Sequence, residues 1–73
     1  MTPSPRVVAR IFGVCTTVRR SLLASRRVRA MGHVDLADAL FARAMELRAV
    51  GYPGAAEHWG ARRRAALERM GEP

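Results

Sequence analysis

Two histidines, one cysteine and six carboxylates are the side chains of this 73-residue chain that could serve as a general base, a thiolate or a metal ligand near neutral pH. A hydrolase or transferase of the usual kinds needs a nucleophile with a base, paired carboxylates or a metal cluster. His33 falls in a predicted turn and His58 on the exposed side of a predicted helix. Neither has an acid or cysteine at ligand spacing except Glu57, the neighbour of His58, and consecutive residues on a helix point in different directions. Asp35 and Asp38 stand at a predicted helix start, where negative charge offsets the positive end of the helix dipole, so capping accounts for them. A lone Cys15 can form neither an intramolecular disulfide nor a thiolate metal site. It reads as a small apolar core residue in a reducing, cytoplasmic compartment. With no glycine-rich phosphate loop either, the expectation is a non-enzymatic protein without catalytic, metal or cofactor residues and without a small-molecule substrate.

What the chain does carry is arginine. All 13 basic residues are arginine, against six acids, for a net charge of +7. The absence of lysine is what codon bias in a GC-rich genome would produce, but such bias does not create a surplus of positive charge. Residues 1–34 hold seven arginines and no acid, residues 35–61 sum to −2 and residues 62–73 to +2. Basic character is thus an N-terminal property, and it points to an anionic partner. The candidate contacts are Arg6, Arg10, Arg20 and Arg27 on the first predicted helix, with the triplet Arg62, Arg63 and Arg64 near the end. On a helix the triplet spreads around the circumference, with Arg63 in the apolar arc and Arg64 four residues before Glu68.

The elements that must position these residues are helical. Ser4 before Pro5 is a start signal, because the serine oxygen can cap a free amide and proline at the first position lacks one. Val7, Ile11, Val14, Cys15, Val18 and Leu22 recur at spacings of three and four and predict one long basic amphipathic helix, over about residues 5–31, with a kink near Ser25 as the alternative. Gly32 is a natural stop. Asp35 is the expected cap of a second helix, over 35–50, carrying Leu36, Ala37, Leu40, Phe41, Ala44 and Leu47. After the breakers Tyr52 to Gly54, a third helix over 55–70 carries Trp59 and Leu67. No segment alternates with period two, so the fold class is all-α: one small domain, a three-helix bundle or helical hairpin. A domain of this size buries only about 60% of its unfolded surface, so docking or self-association would complete a thin core.

Residues 32–47, GHVDLADALFARAMEL, resemble the turn and second helix of a tetratricopeptide repeat. Gly32 matches the turn, Ala37 and Ala44 the small residues that let two helices approach, and Phe41 the position between them. The resemblance implies a helical hairpin and a protein-interaction module. The preceding helix departs from the pattern, with Ser21, Ala24 and Ser25 where an aromatic, a leucine and a small residue are usual, and Pro53 comes about four residues late. RAMG at 29–32 and ERMG at 68–71 are also alike, at a separation of 39 residues.

The function expected first is a small helical interaction protein, an accessory subunit or adaptor that docks on a protein partner or on itself. Next comes sequence-independent nucleic-acid binding, in which the arginines hold phosphates through charge-assisted hydrogen bonds. The third expectation is peripheral binding to an anionic membrane surface by the N-terminal helix. No run reaches the length of a membrane span. The arginine-rich, acid-free start also has the look of an organellar targeting segment, the lesser alternative to a cytoplasmic location.

Overall fold

The computed structural model of the chain describes residues 3–71. Its first helix, α1, spans Pro5–Val14 and starts as its sequence predicts: Ser4 Oγ accepts from the Val7 amide at 3.3 Å, and Pro5 occupies the first turn. It then stops well short of residue 31. Cys15 leaves the helical conformation and Thr17 is extended. The hydroxyl of Thr17 accepts from the Arg20 amide at 3.1 Å and caps a new helix, α2, Val18–Ala30. The expected single N-terminal helix is therefore two, and the break falls at residues 15–17 rather than near Ser25. Two adjacent β-branched threonines offer the chain a cap in place of another helical turn. The carbonyl of Cys15, freed at the helix end, accepts from Ser21 Oγ and from Arg43 Nε, each at 3.4 Å. The chain reverses at this corner, which leaves Pro3 beside Gly32, His33 and Met70 at the far end of α2.

Gly32 ends α2 as expected. With φ +89° it takes the left-handed conformation that its lack of a Cβ allows. The His33 amide donates to Val28 O and the Gly32 amide to Arg29 O, the paired bonds of a Schellman motif. That turn leads straight into α3, Val34–Arg48, so His33 and not Asp35 precedes the first helical residue. Asp35 lies inside the first turn, and its carboxylate is engaged elsewhere. Gly51, also at positive φ, closes the next turn, and α4 runs Pro53–Arg69 with Pro53 inside the helix rather than in the loop. The likeness of RAMG and ERMG has a local cause: Met31 and Met70 are both C-caps, each followed by a glycine at positive φ.

The result is all-helical, with four helices and no strand among the described residues. Helix α3 is central and packs extensively on both α2 and α4, whereas α1 touches α2 only lightly. A helix between two neighbours must be apolar on more than one side, and α3 buries Leu36, Ala37, Ala39, Leu40, Ala42 and Ala44. Small residues also line the inner side of α2, where Ser21 and Ser25 are buried and Ser25 Oγ donates to Ala37 O across the seam at 2.8 Å. Leu36, Leu40, Val28, Val8 and Cys15 form the core, with Phe12 and Leu67 packed against it. Phe41 is less buried than its stripe suggests. It is 41% exposed and meets Trp59 of α4 edge to face, ring centroids 5.8 Å apart.

Candidate docking face

The carboxylates of α3 sort the arginines into two populations. Asp38 receives Arg29 from α2 at 2.7 Å and Arg69 from α4 at 3.6 Å, so a single acid ties three helices together. Arg69 also reaches Asp35 at 3.0 Å, and Glu46 pairs with Arg63 at 2.5 Å. Asp35 and Asp38 therefore do more than the capping their sequence positions suggest. Gly60 of α4 leaves room for the Glu46 carboxylate, since a Cβ there would lie 3.1 Å from Glu46 Oε2.

Of the ten arginines without such a partner among the described residues, six lie on the first two helices and four, Arg43, Arg48, Arg62 and Arg64, on α3 and α4. Arg6 and Arg10 of α1, and Arg19, Arg20, Arg26 and Arg27 of α2, are all exposed, and none is ion-paired among the described residues. The four arginines selected from the N-terminal sequence belong to this set. Arg19 and Arg26 belong as well, although they are not among the contacts expected from the sequence. Their seven-residue spacing, identical to that of Arg20 and Arg27, was the available signal.

The C-terminal triplet is dispersed. Arg63 turns inward to Glu46, the Arg62 guanidinium lies 5.4 Å from the centre of the Trp59 ring, and Arg64 is exposed with no ion pair to Glu68. The position over Trp59 suits a cation–π contact. A concavity of about 280 Å³ opens beside it, bounded by Phe41, Trp59, Arg62 and Asp38.

A larger groove, of about 420 Å³, separates α1 from α2. Ile11 and Val14 form its α1 wall, and Leu23, Ala24 and Val28 its α2 wall, with Cys15 at the closed end of the helix pair. Arg20 and Arg27 line the same groove. Val14 and Leu23 are 59% and 43% exposed, high values for aliphatic side chains that line one groove. The sequence placed Val7 and Val14 in the buried stripe. Both are exposed, and α1 turns Val8 and Phe12 to the core together with Ile11.

Cys15 is only 2% exposed, and burial pushes its thiol pKa up, an effect that the nearby charges of Arg43 and Arg20 oppose without overcoming. A protonated, covered sulfur is a poor nucleophile. The exposed His58 ring sits 5.2 Å from that of Trp59. Among the described residues no three His, Cys, Asp or Glu side chains gather to hold a metal ion, and no described helix is long and apolar enough to cross a membrane.

No family model, curated protein or solved structure matches this chain.

Proposed function

We propose that this chain is a non-enzymatic helical interaction protein, an accessory subunit or adaptor of a reducing compartment, that docks on a partner protein through the face formed by α1 and α2. The observation that carries this reading is the groove between those helices, which leaves aliphatic side chains in water beside unpaired guanidiniums. Contact with a partner would remove that apolar surface from water, at about 25 cal/mol per Å², and would give the thin core a further layer. The buried Ala37 and Ala44 support reading α2 and α3 as a hairpin of tetratricopeptide type, although Phe41 between them turns to Trp59 of α4. The Phe41 and Trp59 rings already cover one another in part, which makes the α1–α2 groove the stronger docking surface.

A photo-crosslinking side chain at position 23, in extract of the source cells, tests the reading. A discrete protein adduct that persists in high salt and disappears with Val14→Asp is the expected result. Cross-linking that yields no protein adduct would remove the basis for it.

The six arginines of α1 and α2 that have no ion pair among the described residues favour a second reading, sequence-independent binding to nucleic acid. Each neutralised phosphate contributes about 0.9 to the slope of log K against log salt on duplex DNA. Binding to duplex DNA or structured RNA that is tight at low salt, and falls by about two powers of ten or more towards physiological salt, would make that reading the working one.

A further inference from the structure

The shape and charge of the α1–α2 groove say what kind of partner fills it. Arg20 and Arg27 are seven residues apart on α2, two helical turns, or about 10.5 Å along the axis. Leu23 and Ala24 stand between them in sequence, and both line the groove. Arg20, Leu23, Ala24 and Arg27 stand at i, i+3, i+4 and i+7, so an apolar pair shares one face of α2 with a guanidinium at each end, a charge pattern complementary to an amphipathic helix with acids at the same spacing. Acids at positions i and i+7 of a partner helix lie on one face at the same spacing as the two arginines.

We infer that the groove seats an acidic amphipathic helix of a protein partner, its apolar ridge between Val14 and Leu23 and its carboxylates on Arg20 and Arg27. This rests on the docking reading above and specifies the occupant. Other occupants fit the observations less well. A second copy of the chain, packed symmetrically, would bring the arginines of α2 against themselves, a like-charge contact that works against association. A nucleic-acid backbone would satisfy the guanidiniums and leave the aliphatic walls unfilled. A bilayer surface favours bulky anchors such as Trp, Phe and Leu, and among the residues that line the groove only Leu23 is of that kind. At about 420 Å³ the groove is within the range of about 300–1,000 Å³ typical of ligand clefts, room for an apolar ridge.

The test uses the whole protein and a fluorescein-labelled synthetic helical peptide with a leucine ridge and glutamates seven residues apart. Its comparators are a scrambled peptide of the same composition, vesicles of phosphatidylserine and phosphatidylcholine, and a short DNA duplex. The patterned peptide is expected to bind one to one, at least about tenfold more tightly than the scrambled peptide, and to be displaced by neither vesicles nor duplex. Arg20→Glu with Arg27→Glu, and separately Leu23→Asp, should each weaken it about tenfold or more. Arg62→Glu with Arg64→Glu should leave it unchanged. Circular dichroism checks that each variant is folded, and Val14→Asp probes the opposite wall should Leu23→Asp unfold. Equal binding of the scrambled peptide, displacement by vesicles or duplex, indifference to the Arg20 and Arg27 reversals, or no binding of the patterned peptide would each overturn the inference. If the inference fails while the position-23 cross-link still captures a protein, the docking reading stands and only the acidic-helix occupant is lost. Failure of both removes the two together.

Discussion

Ser25 shows how much a single polar atom decides in this small protein. It is buried on α2, and its hydroxyl donates to Ala37 O at 2.8 Å, so the polar group is satisfied where an aliphatic side chain would hold the helices apart. Ser25→Ala removes one neutral hydrogen bond and should cost about 1 kcal/mol. Ser25→Leu forces added volume into a closed seam and should cost about 1–3 kcal/mol. Urea unfolding of the two variants gives both values, and a Leu variant as stable as wild type would contradict the close approach of α2 and α3. Cys15 gives a second prediction at this scale. Burial raises its pKa, so the folded state holds the thiol proton more tightly than the unfolded chain does. Its contribution to stability is fully present below the unfolded pKa of about 8.5 and is lost as pH rises through the higher folded value. Stability followed by denaturant should therefore fall on the alkaline side. Iodoacetamide should alkylate Cys15 slowly at neutral pH in the native protein and readily once it is unfolded, whereas equal rates in the two states would show that the sulfur is accessible.

Helix ends are where the chain's elements are decided, and Thr17 is the end with the largest consequence. Its hydroxyl caps α2 through the Arg20 amide, and the reversal of the chain at Cys15 and Thr16 depends on α2 starting there. Thr17→Ala should cost about 1 kcal/mol, and Thr17→Asp, which supplies another acceptor, should recover most of it. If Thr17→Ala left the denaturation midpoint unmoved, the cap would not be what separates α1 from α2. Capping chemistry also separates what was legible in the sequence from what was not. Ser4 with Pro5, and the stop at Gly32, act through bonds within a few residues of themselves, and the structure places those boundaries where the sequence does. The break at residues 15–17 was hidden because apolar spacing continues through it: Cys15, Val18 and Leu22 prolong the stripe of Val7 and Ile11. Arg43, 28 residues away, helps to hold that corner through Cys15 O, and local pattern carries no trace of such a contact. The cap of α3 was misplaced by the same logic. Asp35 is a good cap residue by type, but the glycine turn at Gly32 and His33 had already set where the helix starts.

Across the whole molecule, charge is what remains unbalanced. The arginines of the candidate face were legible as an acid-free N-terminal segment. The groove between them was not, because it exists only once α1 folds back on α2. A surplus of positive charge opposes the compact state, since unfolding lets the charges separate. Two charges about 10 Å apart in water repel by roughly 0.4 kcal/mol. Arg19 with Arg26 and Arg20 with Arg27 stand two helical turns apart on α2, at about this spacing along the axis. Of the opposing ion pairs, exposed ones such as Arg29 with Asp38 contribute at most about 1 kcal/mol each. Arg63 with Glu46 is partly shielded and responds less to screening. Repulsion therefore dominates the salt response, and sodium chloride should stabilise the fold. Between about 0.01 M and 0.15 M salt the Debye length falls from about 30 to 8 Å. A gain of about 1 kcal/mol over that range would raise the melting temperature by about 4–8 °C for a chain of this size. Reversing Arg19 and Arg26 to glutamate should raise the low-salt melting temperature and flatten the response, because those two lie among the unpaired arginines of α2. A melting temperature that falls with added salt would mean that the Asp38 and Glu46 pairs, and not the arginine face, govern the electrostatics of the fold.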